Sequence, residues 1–249
     1  MKLTGNTILI TGGGTGIGLG LAGAFVERGN QVVICGRRQE KLDQACRQVP
    51  GLRAHRCDVS DPADRQRLFD AIAADGLAIN VLINNAACMR AYDFSEPEAL
   101  DVAGLHQDIA ANFVAPLEMI RLFLPTLRQR ERATIINVSS PGGVVPVARF
   151  SIYCASKAAM ISFTRSLRYQ LAEDVEVITV YPPSVDTEMM KGDDLPMISV
   201  DEFNREVMKG LARGRDEIWI GQARYLPILA RLMPKRILGI VNKAAGVSR

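Results

Sequence analysis

The 249-residue chain is 48% hydrophobic and 23% charged, a globular composition that excludes disordered, fibrous and low-complexity classes. Thirty Lys and Arg against 27 Asp and Glu leave a net charge of +3, so no electrostatic signal points to nucleic acid as a partner. Five scattered cysteines without a C-x-x-C pair, and only two histidines, argue against a disulfide framework or a metal site and suit a reducing, cytoplasmic setting.

The opening Met-Lys-Leu-Thr-Gly runs straight into an apolar strand, so no secretory leader is expected, and no unbroken apolar run is long enough to span a membrane. In chain order the pattern predicts a strand at Thr7–Ile10, a glycine-rich turn, and a helix to about Arg28. A strand at Gln31–Cys35 and a helix at Gln39–Gln48 follow, then a strand at Leu52–Arg56. The stretch Pro62–Asp75 reads as a helix with Asp61 as N-cap and Pro62 in its first position. Beyond it come a strand at Val81–Ile83, one long helix at Ala99–Arg128, a strand at Thr134–Val138, a helix at Tyr153–Ala172 and a strand at Glu176–Tyr181. After Thr187 the pattern loosens into a loop at Lys191–Val200, a helix at Asp201–Ala212 and a last strand at Glu217–Ile220. The strands Thr7–Ile10, Val81–Ile83 and Thr134–Val138 are apolar without alternation, as expected when helices cover both faces of a parallel sheet. The βαβ repetition therefore predicts a doubly wound, three-layer α/β/α domain spanning 1–249, with 188–249 as substrate-loop and C-terminal elements within it.

The first strand ends in Thr11-Gly12-Gly13-Gly14-Thr15-Gly16-Ile17-Gly18, between a strand and a helix at the start of a βαβ unit. Glycines there let backbone approach a pyrophosphate, and the helix N-terminus offers free N–H groups and partial positive charge. This context identifies a dinucleotide site. A P-loop is excluded because no Gly-Lys-Ser/Thr follows. The second strand ends at Gly36-Arg37-Arg38, where an acidic residue would accept from a ribose 2′-hydroxyl and arginine suits a 2′-phosphate. NADP(H) is thus the expected cofactor and NAD(H) the alternative; as ordinary loop charges, Arg37 and Arg38 would carry no such preference.

The fifth strand ends at Ser139-Ser140, and thirteen residues after Ser140 comes Tyr153-Cys154-Ala155-Ser156-Lys157. Tyr153 and Lys157 share a helix face. A free tyrosine, with a pKa of ~10, is a poor base at neutral pH, and an adjacent ammonium favours its phenolate. The pair reads as a proton donor and acceptor for a carbonyl/alcohol couple. Ser140 would hold the substrate oxygen. Asn112, polar within an apolar stretch, would bind a water linking Lys157 to solvent, or else is a buried amide satisfied by backbone.

Together these motifs, with Asn84-Asn85-Ala86-Ala87 and Tyr181-Pro182-Pro183-Ser184-Val185-Asp186-Thr187, resemble the short-chain dehydrogenase/reductase family from about Gly5 to Thr187. The Pro182-Pro183 form, the opening residues and Glu217-Ile218-Trp219-Ile220-Gly221 are similar to its DltE-like branch. The resemblance implies a Rossmann sheet of seven parallel strands and a homodimer or homotetramer built on the two long helices. It implies Tyr153 as general acid/base, Lys157 lowering the Tyr153 pKa and binding the nicotinamide ribose, Ser140 orienting the carbonyl and Asn112 carrying the relay water. It also implies cofactor contacts from Gly12, Gly14, Thr15, Gly16, Ile17, Gly18, Arg37, Arg38, Asp58, Val59, Asn85, Ala86, Ala87, Tyr153, Lys157, Pro182, Val185 and Thr187. Asp58 would meet the adenine amino group, Asn84 and Ala86 would pass close to the adenosine ribose, and Val185 would meet the carboxamide. Alanine stands where glycine is usual in Asn84–Ala87, and Pro183 where glycine usually follows Pro182.

The expected function is hydride transfer between a nicotinamide and a small-molecule carbonyl or secondary alcohol. The alternative is a non-catalytic nucleotide sensor or scaffold on the same fold, which would have no need of Tyr153. The substrate pocket is expected from Cys88–Tyr92, Pro141–Phe150 and Glu188–Val200, with an apolar wall of Val144, Val145, Val147 and Phe150 and adaptable Met89, Met189, Met190 and Met197. The apolar, basic tail Tyr225–Val241 is expected to close that pocket or pack at a subunit interface. A membrane surface is not expected for it, since Pro227 and Pro234 interrupt any long helix. Substrate identity and reaction direction are not legible.

Overall fold

The computed structural model describes residues 1–192 and 196–247. Seven strands, β1 (Thr7–Thr11), β2 (Gln31–Gly36), β3 (Leu52–Arg56), β4 (Val81–Asn84), β5 (Ala133–Val138), β6 (Val175–Tyr181) and β7 (Glu217–Trp219), pair in parallel in the order β3-β2-β1-β4-β5-β6-β7. The helices among the described residues are α1 (Gly16–Val26), α2 (Gln39–Gln48), α3 (Pro62–Ala74), α4 (Val102–Ile109), α5 (Ala115–Leu127), α6 (Ser151–Gln170), α7 (Val200–Ala212), α8 (Leu226–Leu232) and α9 (Pro234–Ala244).

The unalternated strands now have a physical account. In β1, Ile8 and Ile10 point to one face and pack with Leu21, Phe25, Phe203 and Val207 from α1 and α7. Leu9 points to the other face, among Leu68, Ile72, Met119 and Phe123 from α3 and α5. Both sets are fully or almost fully buried, so Ile8, Leu9 and Ile10 are apolar whichever way each faces. Burying a side chain the size of Phe25 or Phe123 contributes roughly 1.5–3 kcal/mol, which is why these positions carry no polar residues.

Every sequence-predicted strand is present, with ends that shift by at most one residue. The predicted long helix at Ala99–Arg128 is different. It begins only at Val102, where the Asp101 carboxylate accepts from the Gly104 N–H, and it is broken by a π-helical turn at Ala110–Val114. Periodicity cannot register one extra residue per turn when the residues on either side remain apolar. By length and composition Val102–Leu127 could cross a membrane. Its Met119, Ile120, Phe123 and Leu127 instead pack against the sheet, so its apolarity is that of a core helix.

The strand order reverses between β1 and β4, with connections leaving toward opposite edges of the sheet. Such a switch point leaves a crevice beyond the carboxyl ends of the strands, and the candidate site lies there.

Candidate active site

A cavity of about 880 Å3 runs along the carboxyl ends of β1, β2, β4, β5 and β6. At one end it is floored by the glycine turn. Gly12 and Gly16 have φ of +65° and +55°, conformations that side-chain-bearing residues rarely adopt. A Cβ on Gly18 would lie 2.3 Å from the Gly12 carbonyl oxygen and 2.6 Å from Asn85 Nδ2. Neither that carbonyl nor the amide can retreat, since Asn85 Nδ2 donates to the Thr11 and Gly12 carbonyls at 2.9 and 3.2 Å. Gly18→Ala is therefore expected to cost about 1–3 kcal/mol by overpacking; urea denaturation of the two proteins checks it, and equal midpoints would contradict the geometry.

Thr15, the N-cap of α1, is extended and its side chain caps nothing. The first-turn N–H groups of α1 are thus left for an external acceptor, the arrangement that suits a pyrophosphate. The cavity wall here includes Gly12, Gly14, Thr15, Gly16, Ile17, Gly18, Arg37, Arg38, Asp58, Val59, Asn85, Ala86 and Ala87, all of them predicted from sequence. Pro182, Val185 and Thr187 line it further along. Asn84 does not: it ends β4, is buried, and donates from Nδ2 to Asn137 Oδ1 at 2.9 Å inside the sheet. The Asn84 side chain is thus turned into the sheet, and the cavity wall begins one residue later, at Asn85. These donors and this glycine cradle fit a dinucleotide.

Arg37 and Arg38 separate in the structure. Arg38 forms a two-pronged ion pair with Glu188, 2.9 and 3.2 Å across the mouth of the cavity, with both side chains half-exposed. Arg37 lines the same mouth and has no ion-pair partner among the described residues. Glu188 had no local signal, since it sits 150 residues from Arg38.

Ser140, Tyr153 and Lys157 meet in the middle of the cavity. The turn Pro141–Gly143 after β5 sits directly on α6: a Cβ on Gly143 would lie 2.8 Å from the Lys157 carbonyl carbon. That closeness brings Ser140 against Tyr153. Ser140 Oγ accepts from the Gly142 N–H at 3.1 Å, so its own proton is directed elsewhere, and it hydrogen-bonds the Tyr153 phenol. Lys157 is buried, donates from Nζ to the Val138 carbonyl at 2.8 Å, and lies 5.5 Å from the Tyr153 ring centroid.

Burial dominates both titrations. It pushes Tyr153 up to about 12, a rise opposed by the Ser140 hydrogen bond, and pulls Lys157 down to about 8. Any lowering of the Tyr153 pKa by Lys157 is outweighed here by burial. The ammonium is engaged with Val138, and desolvation outweighs any attraction at that distance.

Asn112 lies in the π turn, buried, with Oδ1 accepting from the Cys88 N–H at 2.7 Å and Nδ2 donating to the Cys88 carbonyl at 2.8 Å. Its side chain is spent on clamping the helix to the loop after β4 and does not line the cavity. The bland reading of Asn112, a buried amide satisfied by backbone, describes its side chain.

The rest of the cavity is largely apolar, with Arg149, Ser184, Gln222 and Tyr225 also on its wall. Met89, Val145, Val147, Phe150, Pro183, Met189 and Met190 line it, whereas Val144, Met197 and Arg90–Tyr92 do not. Tyr92 instead is buried with its hydroxyl donating to Asp108. Of the predicted Glu188–Val200 wall, 193–195 lie outside the described residues. The remaining wall comes from the tail, as expected of a segment that closes the pocket: Leu226 and Leu229 of α8, and Ile237, Val241 and Ala244 of α9. Asn242 fastens α9 to the facing loop, accepting from the Ala148 N–H at 2.7 Å and donating to the Pro146 carbonyl at 3.0 Å. No cluster of three or more His, Cys, Asp or Glu able to hold a metal occurs among the described residues.

The family model for short chain dehydrogenases matches residues 6–196. An uncharacterized oxidoreductase of Bacillus subtilis, DltE, is 40% identical over 226 residues, covering 88% of this chain and 89% of that protein. A short chain dehydrogenase from Burkholderia cenocepacia, solved in complex with NADP, superposes with a TM-score of 0.83 at 30% identity over 95% of this chain and 97% of its own. A Sphingobium yanoikuyae short-chain dehydrogenase in complex with NADPH gives 0.79 at 26% identity over 98% and 96%. Fold, glycine turn and sequence agree, and the chain belongs to the short-chain dehydrogenase/reductase family of oxidoreductases.

Proposed function

We propose that the protein is an NADP(H)-dependent oxidoreductase that interconverts an apolar ketone or aldehyde with its alcohol, using Tyr153 as the proton donor and acceptor. The observation that carries this reading is the shared cavity. One continuous space touches the glycine turn, Arg37, the Ser140–Tyr153–Lys157 set and an apolar wall. The nicotinamide, when bound, supplies or takes up the hydride. Ser140 donates a hydrogen bond to the substrate oxygen and positions it beside the Tyr153 hydroxyl. Tyr153, held protonated at neutral pH by its raised pKa, delivers its proton to that oxygen in the reducing direction. Lys157, anchored on Val138, would hold the ribose side of the dinucleotide and keep positive charge near the phenolate that forms. Oxidation of the alcohol runs the same transfer backward and gains from alkaline pH, because it needs the phenolate. Asn112 supports this set through the loop at Cys88.

The preference for NADP(H) rests on Arg37 and Arg38, with no carboxylate at Gly36, and draws support from relatives solved with NADP and NADPH. Because Glu188 competes for Arg38, Arg37 is expected to carry more of the 2′-phosphate contact. Arg37→Ala should weaken NADPH binding by about 10- to 100-fold and leave NADH binding unchanged. Fluorescence titration with both dinucleotides tests this, and an equal loss for the two would remove Arg37 from 2′-phosphate recognition. The wider reading is tested by thermal shift. NADPH at ~100 times its Kd should add roughly 2.7 kcal/mol of apparent stability, and no rise with either dinucleotide would overturn it.

We also propose a homo-oligomer formed on α4, α5 and α6, where Val102, Ile109, Val114 and Tyr169 are exposed. The five free cysteines suit a reducing, cytoplasmic compartment.

A further inference from the structure

The tail has a second face that the cavity does not use. Pro227 and Pro234 occupy the first turns of α8 and α9, so they start two short helices and do not abolish helicity. One side of this pair lines the cavity. On the outside Ile228, Leu232 and Met233 stand 59, 71 and 40% exposed. Arg224, Arg231, Lys235, Arg236 and Lys243 are interspersed with them, all exposed, and none is in an ion pair among the described residues.

The charge distribution is lopsided. Residues 221–249 hold six of the 30 cations and none of the 27 acids, so the other 220 residues carry a net charge of −3. A patch with apolar side chains at its centre, cations around it and no carboxylate matches an anionic lipid surface. It matches a second copy of this chain poorly, since self-association would bring like charges together. The exposed apolar residues Val102 and Ile109 of α4 and Val114 of the π turn lack such a cation set, which separates the two surfaces.

We propose that the outer face of α8 and α9 docks on an anionic membrane surface, with Ile228, Leu232 and Met233 entering the headgroup boundary and Arg231, Lys235 and Arg236 meeting lipid phosphates. Leu229, Ile237, Ile240 and Val241 of the same helices line the cavity. Docking therefore sets the cavity wall against the lipid, a route for an apolar carbonyl that avoids water; that consequence, though not the docking, rests on the proposed function.

The test is sedimentation of the full chain with phosphatidylcholine vesicles and with mixed phosphatidylcholine–phosphatidylglycerol vesicles. Binding to the anionic vesicles, weakened by salt, is the expected result. Each cation near the surface contributes about fivefold, so the triple variant Arg231→Gln, Lys235→Gln, Arg236→Gln should lose about a hundredfold in partitioning. Leu232→Ser should also weaken binding. Both changes lie on the exposed face, so thermal midpoints should stay at the wild-type value, which separates lost docking from lost folding. No sedimentation with anionic vesicles, or equal sedimentation of the triple variant, overturns the proposal. So does a fall in solution mass on Leu232→Ser without vesicles, which would assign the face to a second copy. None of these readouts involves turnover, so their failure leaves the oxidoreductase reading intact.

Discussion

Replacing Tyr153 by phenylalanine is expected to lower turnover by about 10²- to 10⁴-fold, the usual contribution of a positioned proton donor. NADPH affinity is expected to stay within a few-fold of wild type. The phenylalanine ring fills the same space beside Lys157 and removes only the hydroxyl that Ser140 bonds. The expected signature is a fall in kcat with little change in KM, the pattern of an interaction made in the transition state. Initial rates of NADPH consumption with an apolar ketone, paired with a binding titration, check both halves. Retained turnover would move the acid/base role away from Tyr153. Lost turnover together with lost binding would give Tyr153 a structural part. A protein that binds NADPH but turns over no carbonyl in either form would favour a sensor on this fold.

Lys157→Met should abolish turnover and also change the pH dependence of stability. Burial holds the Lys157 ammonium at about 8 against an ordinary 10.5. A group depressed in the folded state contributes stability above its unfolded pKa and loses it as pH falls through the folded value. Lys157 is therefore neutral in its effect above about pH 10.5 and progressively costly from there down to 8. Below that the full difference applies, ~3 kcal/mol. Methionine cannot titrate and keeps most of the apolar stem. Relative to the variant, the wild-type protein should lose ~3 kcal/mol on going from pH 10.5 to pH 7. The variant leaves the Val138 carbonyl without its donor, at a constant cost of about 1–3 kcal/mol. That cost offsets the comparison equally at every pH and leaves the slope untouched. Tyr153 ionises only at about 12, so it destabilises both proteins alike above pH 10 and cancels in the difference. Urea denaturation without cofactor at the two pH values measures the slope. A flat difference would mean that Lys157 is charged and solvated, contrary to its burial.

The same lysine carries both effects. An ammonium taken out of water is costly without dinucleotide, and a bound ribose and a developing phenolate offer it partners. Stability given up in the empty site is the form of compensation expected where a residue is kept for chemistry.

Much of the site was legible in the sequence because its signals are local. The strand, glycine turn and helix at Thr7–Val26 are consecutive, and Gly12 and Gly18 answer steric demands within that segment or from the adjoining β4 loop, whereas Gly13 and Gly20 answer Ile34 of β2 and Val200 of α7. Tyr153 and Lys157 share a face through helix geometry alone. Strand positions were legible because covering both faces of a parallel sheet leaves no polar position in the middle of β1, Ile8 to Ile10, and that shows as composition. Even Asp61 announced its helix, accepting from the Ala63 N–H in front of Pro62.

What only the tertiary structure decided joins residues far apart in the chain. Arg38 was legible as a cation, but its partner Glu188 arrives from a loop 150 residues later. Asn112 was legible as an oddly polar residue; that the Cys88 backbone occupies its amide depends on how a π turn seats the helix against the loop after β4. The balance at Tyr153 and Lys157 depends on desolvation, which is set by everything packed around the pair and not by their spacing. The tail showed itself in sequence as apolar and basic, and only folding sorted it into a face that lines the cavity and a face left exposed. The sequence by itself determined which chemical groups are present and which short-range geometry they adopt, since sterics and periodicity act over a few residues. Burial and long-range pairing, which set charge and accessibility at the site, are properties of the packed whole.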